Sequence, residues 1–176
     1  MKAEQRVMVD AGSLIVAATE QFIMVARSAI AKRGVFYVAL AGGSTPKGLY
    51  QMLATMPYSS KIDWSRVHLF FGDERCVLPS HNDSNFKMAS EAMIEALPIP
   101  ETNVHRMPTE LSNSGEVAKR YAETMTKVMK AEPFDLVLLG AQVKEDEIDE
   151  FHGFLKALGY VFCDETDNPA YRLFLS

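Results

Sequence analysis

Between residues 11 and 33, apolar side chains recur at helical spacing. Leu14, Ile15, Ala18, Phe22, Ile23, Val25, Ala26 and Ile30 form one wide stripe. The spacing predicts a helix over Ala11–Arg33, stopped by the cationic turn Lys32–Arg33 and by Gly34. Val35–Leu40 is a short apolar run of β formers and predicts a buried strand. Ala41–Pro46 is rich in glycine and hydroxyl residues and leads into a helix over Lys47–Thr55, with Pro46 suited to its first turn. Val67–Phe71 predicts a second strand, ending in Gly72–Arg75.

Downstream, Pro79–Asp83 reads as a loop, and Asp83 or Ser84 caps a helix that runs to about Leu97, before Pro98 and Pro100. A strand is expected over Asn103–Met107, a helix over Ser114–Lys130 and a strong strand over Phe134–Leu139. The last stretch predicts an amphipathic helix over Glu145–Leu158, with Ile148, Phe151, Leu155 and Leu158 on one face. One or two strands come after it, near Tyr160–Cys163 and Tyr171–Leu175. Strands alternating with helices of this length predict an α/β fold: a three-layer Rossmann-like sandwich with a mostly parallel sheet. The C-terminal helix and strands complete it.

Composition narrows the classes. Of 176 residues, 48% are apolar, enough for a packed core, and the net charge of −5 is spread along the chain. With no basic run, nucleic acid is not an expected partner. No apolar run is read as reaching the ~20 residues of a membrane span, so no membrane is expected either. The N-terminus lacks the pattern of a secretory signal. Cys76 and Cys163 are isolated thiols with no histidine at ligand spacing. They suit a reducing cytoplasm and no metal site, and nothing asks for a cofactor.

Two segments carry chemistry. Leu40-Ala-Gly-Gly-Ser-Thr-Pro46 lies between a strand and a helix. Glycines let backbone approach a ligand, and helix-start amides with the helix dipole attract anions. The same residues also make a plain tight turn with Ser44 as N-cap. The Walker ending Gly-Lys-Ser/Thr is absent. Gly72-Asp-Glu-Arg75 ends the next strand, so both segments belong at the carboxyl rim of a parallel sheet. There Arg75 can fork onto a phosphate and Asp73 can take a proton. Alternatively, the tetrad is a solvated turn with an Asp–Arg pair.

Leu40–Tyr50 resembles the 6-phosphogluconolactonase signature. So do Phe71-Gly-Asp-Glu-Arg-Cys-Val77, His81–Met88, Leu97–Pro100, Asn103–Met107 and Phe134–Gly140, in order. The resemblance covers about four fifths of the chain. It implies that Gly42, Gly43, Ser44 and Thr45 hold a substrate phosphate and that Asp73 and Arg75 line the sugar site. The implied reaction is hydrolysis of 6-phosphogluconolactone to 6-phosphogluconate, in the pentose phosphate pathway.

After Gly140 the likeness stops. The family continues with an Asp-Gly-His-Thr segment that supplies its presumed general base; this chain reads Ala141-Gln-Val-Lys-Glu-Asp. His152 falls within the expected terminal helix and reads as a surface or packing residue. Val143–Ser176 is similar instead to the end of the ACT-like regulatory module of biosynthetic threonine dehydratases, most clearly from Asp164 to Leu175. The two likenesses imply a chimera joined near Gly140: residues 1–140 a truncated lactonase-like domain, residues 141–176 a half-module completing it. The expected function is a sugar-phosphate or small-anion scaffold with little or no turnover, any catalysis resting on Asp73 and Arg75. The alternative is a non-enzymatic recombined fold, able to form a homodimer through strand edges of the tail.

Overall fold

The computed structural model describes residues 4–111, 113–141, 161–164 and 171–175. Its elements are β1 (Glu4–Met8), α1 (Ala11–Arg33), β2 (Phe36–Leu40), α2 (Ser44–Leu53), β3 (Val67–Phe71), α3 (Asn85–Ala92), α4 (Ser114–Met129), β4 (Leu136–Ala141), β5 (Val161–Asp164) and β6 (Tyr171–Leu175). Six strands form one sheet in the order β1-β6-β5-β4-β2-β3. Strands β5, β4, β2 and β3 run parallel, while β6 is antiparallel to both its neighbours. The fold is thus the expected Rossmann-like sandwich with a mostly parallel sheet.

Strand alternation builds the layers. Phe36, Val38 and Leu40 of β2, with Val67, Leu69 and Phe71 of β3, enter a large core with Leu14, Phe22, Leu49, Trp64 and Met93 under α1, α2 and α3. Tyr37 and Phe70 point to the opposite face, where they meet Tyr121 and Met129 of α4. Helices therefore cover both faces.

Caps set where helices begin and end. Asp10 accepts from the Ser13 amide at 2.6 Å to open α1. Gly34, at φ 77°, closes it in the left-handed conformation that glycine adopts without a Cβ penalty. By length and composition α1 does qualify as a membrane span, contrary to the sequence expectation. Its Leu14, Ala18, Phe22, Ile23 and Ala26 are instead buried in the core beneath it.

Several boundaries differ from the sequence reading. The sequence pattern does not predict β1, because Glu4-Gln-Arg-Val-Met8 lacks an apolar alternation; its place is set by pairing with β6. The strand expected over Asn103–Met107 reduces to one bridge, Leu69 to Val104, next to a 3₁₀ turn at Glu101–Asn103. The helix expected to reach Leu97 ends at Ala92 and continues only as a 3₁₀ turn over Ile94–Ala96. The helix expected over Glu145–Leu158, with His152, lies outside the described residues. The two tail strands form close to where they are expected. Both edges of β5 and of β6 are paired within the chain, so those edges offer no strand to a second copy.

Candidate functional site

The strand order places the site. From β2 the chain passes through α2 to β3 on one side, while β5 comes after β4 on the other. Connections diverging from adjacent parallel strands open a crevice at their carboxyl ends, where α/β proteins bind ligands. The loop at the end of β2 is Ala41–Gly43.

That loop is anchored from below. The Tyr50 hydroxyl donates to the Ala41 carbonyl at 2.8 Å and accepts from the Ala41 amide at 3.0 Å. Gly43 has φ 106°, a region side chains avoid, and caps α2 with backbone alone. Ser44 is therefore the first helical residue and not the cap. Gly42 meets a different demand: a Cβ there would lie 2.0 Å from Asn85 Oδ1 and 2.9 Å from Arg75 Nη1.

The end of β3 is anchored likewise. Its Gly72 amide donates to the Leu40 carbonyl at 2.8 Å, tying the two strand ends together. On the outer side the Tyr121 hydroxyl accepts from the Phe71 amide at 2.7 Å and donates to its carbonyl at 3.0 Å. Burial raises the pKa of that hydroxyl to about 12, so it stays a neutral donor and acceptor.

Glu74 turns inward from the rim. Its Oε1 accepts from the amides of Arg75 at 2.8 Å and Asn85 at 2.7 Å. Its Oε2 accepts from Phe86 N at 2.8 Å and Ser84 Oγ at 3.1 Å. With Ser84, which caps Lys87 N at 3.2 Å, it saturates the start of α3. Of the two helix starts at this rim, α3 thus already holds a carboxylate, whereas the N-cap of α2 is Gly43, which carries no side chain.

Beside the α2 start is a cleft of about 440 Å³ lined by Gly43, Ser44, Lys47, Arg75 and residues 82–85, with Met88. Two cations, Lys47 and Arg75, and one carboxylate, Asp83, line it. Such a wall attracts a compact anion whose oxygens take a guanidinium fork and helix-start amides.

The sequence candidates distribute unevenly. Gly43, Ser44 and Arg75 line the cleft. Gly42 sits behind it against Asn85, and Thr45 is 8% exposed, within the packed base of the loop. Asp73 is exposed at the rim, its Oδ2 3.5 Å from Arg75 Nη1, and does not line the cleft. Sequence reasoning missed Lys47, Glu74 and Asn85, and both tyrosine anchors. Glu74 and Asn85 stand inside the family-like motifs, but only folding shows that their polar groups turn inward. Among the described residues no cluster of three or more His, Cys, Asp or Glu is placed to hold a metal. Cys76 is an exposed free thiol.

The chain is 37% identical over 145 residues to a 6-phosphogluconolactonase of Nostoc sp., covering 80% of this chain and 59% of that protein. It is 41% identical over 117 residues to one of Synechocystis sp., covering 64% of this chain and 47% of that protein. The chain thus spans about half the length of these relatives. The crystal structure of 6-phosphogluconolactonase from Thermotoga maritima superposes with a TM-score of 0.64 at 29% identity, covering 72% of this chain and 55% of that one. The sequence pattern described as glucosamine-6-phosphate isomerases/6-phosphogluconolactonase matches residues 9–141. The chain belongs to that family.

Proposed function

We propose that this chain binds a sugar phosphate at the α2 start and hydrolyses the corresponding lactone little or not at all. The observation that carries the reading is the glycine-capped N-terminus of α2 beside Arg75, in a cleft that also holds Lys47. The relatives named as 6-phosphogluconolactonases support 6-phosphogluconate and its lactone as the ligand class. The Gly43 and Ser44 backbone with Arg75 holds the phosphate, and Thr45 stiffens the turn from within. Weak turnover follows from the absence of the Asp-Gly-His-Thr segment after Gly140. General acid–base groups typically contribute ~10²–10⁴-fold, and Asp73, exposed at the rim beside Arg75, is the carboxylate proposed to supply part of it.

A second proposal concerns origin. The family match ends at residue 141, next to the junction placed near Gly140; the derivation of the tail from an ACT-like module rests on the sequence likeness over Asp164–Leu175. On that reading β5 and β6 are a graft that supplies strands to the sheet.

The test is an amide NMR titration of the labelled protein with 6-phosphogluconate, followed by a lactonase assay. Shifts localised to Gly42–Thr45 and Arg75, with hydrolysis no faster than the spontaneous rate, are expected. Dispersed spectra that ignore the ligand would reject the binding site. Hydrolysis well above background, lost in Asp73→Ala, would reject the claim of inactivity.

A further inference from the structure

We infer that Asn85 is the positioning residue of the anion clamp: its side-chain amide holds the Arg75 guanidinium against Gly42 while leaving the cation's charge intact. The inference rests on the reading of the cleft as a phosphate site.

Asn85 opens α3 and is only 4% exposed, an unusual place for a neutral polar side chain. Its two ends have distinct partners. Oδ1 accepts from Arg75 Nη1, and Nδ2 donates to the Asp73 carbonyl at 3.1 Å. The reverse amide orientation would set an NH₂ against a guanidinium, so the two partners fix which end is which. The backbone is held as well, because Glu74 Oε1 takes both the Asn85 and the Arg75 amides. Asn85 therefore bridges the residues on either side of Glu74 from a rigid base.

Arg75 needs such a base. Its side chain is half exposed, and Asp73, the carboxylate paired with it, stands 3.5 Å away and is itself 64% exposed. A pair of that kind does little to fix a long side chain. Among the described residues, Asn85 and Asp73 are the side-chain partners of the guanidinium, and both engage Nη1. The other N–H donors of the fork are then the ones available to an oxyanion at the α2 start. Gly42 completes the arrangement, since any side chain there would occupy the space of Asn85 Oδ1.

The chemistry of the acceptor decides its effect. An aspartate in this place would orient the guanidinium equally well but would neutralise it, and a neutralised arginine attracts a phosphate dianion less. A neutral amide orients without neutralising. Two substitutions at one site therefore carry two separable signatures.

The experiment uses the full labelled chain, with Asn85→Ala and Asn85→Asp made in both the wild-type and the Arg75→Met background. The Arg75 Nε order parameter is measured without ligand, and affinity is measured by titration with inorganic phosphate and with 6-phosphogluconate. Asn85→Ala is expected to drop the Arg75 order parameter below about 0.6. It should also weaken both ligands about tenfold, the scale of one hydrogen bond to a charged group. Asn85→Asp should keep Arg75 ordered and still weaken both ligands. In the Arg75→Met background Asn85→Ala should change affinity little, because Asn85 acts through Arg75.

Unchanged affinity in Asn85→Ala, or an equal loss with Arg75 absent, would overturn the positioning role. If Asn85→Ala loses its dispersed spectrum, Asn85→Asp decides, and wild-type affinity in that variant overturns the inference. Absence of any shift in the wild-type protein overturns the phosphate reading itself, and the inference with it. That result is distinct from wild-type binding that both variants retain.

Discussion

Gly42→Ala tests how closely the site is packed. The added Cβ would stand 2.0 Å from Asn85 Oδ1, 2.7 Å from its Cγ and 2.9 Å from Arg75 Nη1, all far inside normal contact. Asn85 has nowhere to retreat: it is 4% exposed and its amide is bound to Glu74 at 2.7 Å. Relief therefore costs the Asn85–Arg75 bond, the Asn85–Asp73 carbonyl bond, or a shift of the loop. A neutral bond is worth about 1 kcal/mol net. The charged one is discounted to a similar figure because Arg75 is half exposed. Overpacking adds about 1–3 kcal/mol. Replacing glycine returns about 0.4–1 kcal/mol through the unfolded chain. The expected net loss is about 2–3 kcal/mol, read by urea unfolding as a midpoint lowered by about 1 M at ordinary m-values. Gly48→Ala is the control. Its Cβ would meet Ile15 Cδ1 at 2.5 Å, but that atom is the far end of a flexible side chain, and the helical position favours alanine. A Gly42→Ala protein within about 0.5 kcal/mol of wild type, with phosphate affinity retained, would refute the claim that the loop depends on this close approach.

Three further outcomes are expected. Tyr121→Phe strips both the amide and the carbonyl of buried Phe71 of their hydroxyl partner. It should cost about 2–4 kcal/mol in urea unfolding, and a loss under about 1 kcal/mol would mean that water replaces the hydroxyl. Tyr50→Phe does the same at Ala41 and should broaden the amide signals of Gly42 and Gly43 in NMR spectra. Unaltered line widths there would show that the loop holds without it. His105, whose Nε2 lies 3.1 Å from His68 Nδ1, is lowered from 6.5 to about 4 by burial first and by the neighbouring His68 second. The unfolded chain then binds the proton more readily. The neutral ring's contribution is complete above about pH 6.5 and is lost as pH falls toward 4. Partial exposure trims it to about 1–2 kcal/mol. His105→Gln should flatten unfolding stability over that window, and a slope as steep as wild type's would assign the pH dependence to other groups.

The parts of the fold legible in the sequence are those whose environment is uniform along a stretch. Phe36–Leu40 is buried throughout, and α1 presents one continuous apolar stripe, so periodicity alone places them. The less legible parts depend on partners distant in the chain. β1 carries no pattern of its own and is specified by β6, at the other end of the sequence. Val104 reads as strand because it is apolar between polar neighbours, yet one bridge to Leu69 is all that the edge of β3 accepts there. The site divides in the same way. Gly43 and Arg75 announce themselves by position, at a loop after one strand and at the end of another. Asn85 and Glu74 look like surface residues of a polar loop, because their burial and capping roles exist only once α3 is docked beside β3.

The anchoring of the rim bears on the proposal that binding outlasts catalysis in this chain. Among the described residues, the side chains that anchor the ends of β2 and β3 come from residues 50–121. Tyr50 holds Ala41, Tyr121 holds Phe71, Glu74 and Asn85 hold Arg75, and the Gly72 amide ties β3 to β2. None of these bonds passes through β5 or β6. On the proposed reading, a different segment after β4 changes which groups face the crevice from that side and leaves these bonds in place. A lactonase needs both halves, one to hold the phosphate and one to activate water at the carbonyl. A phosphate binder needs the first alone, and on the proposed reading that half is held by the Tyr50, Glu74, Asn85 and Tyr121 side chains.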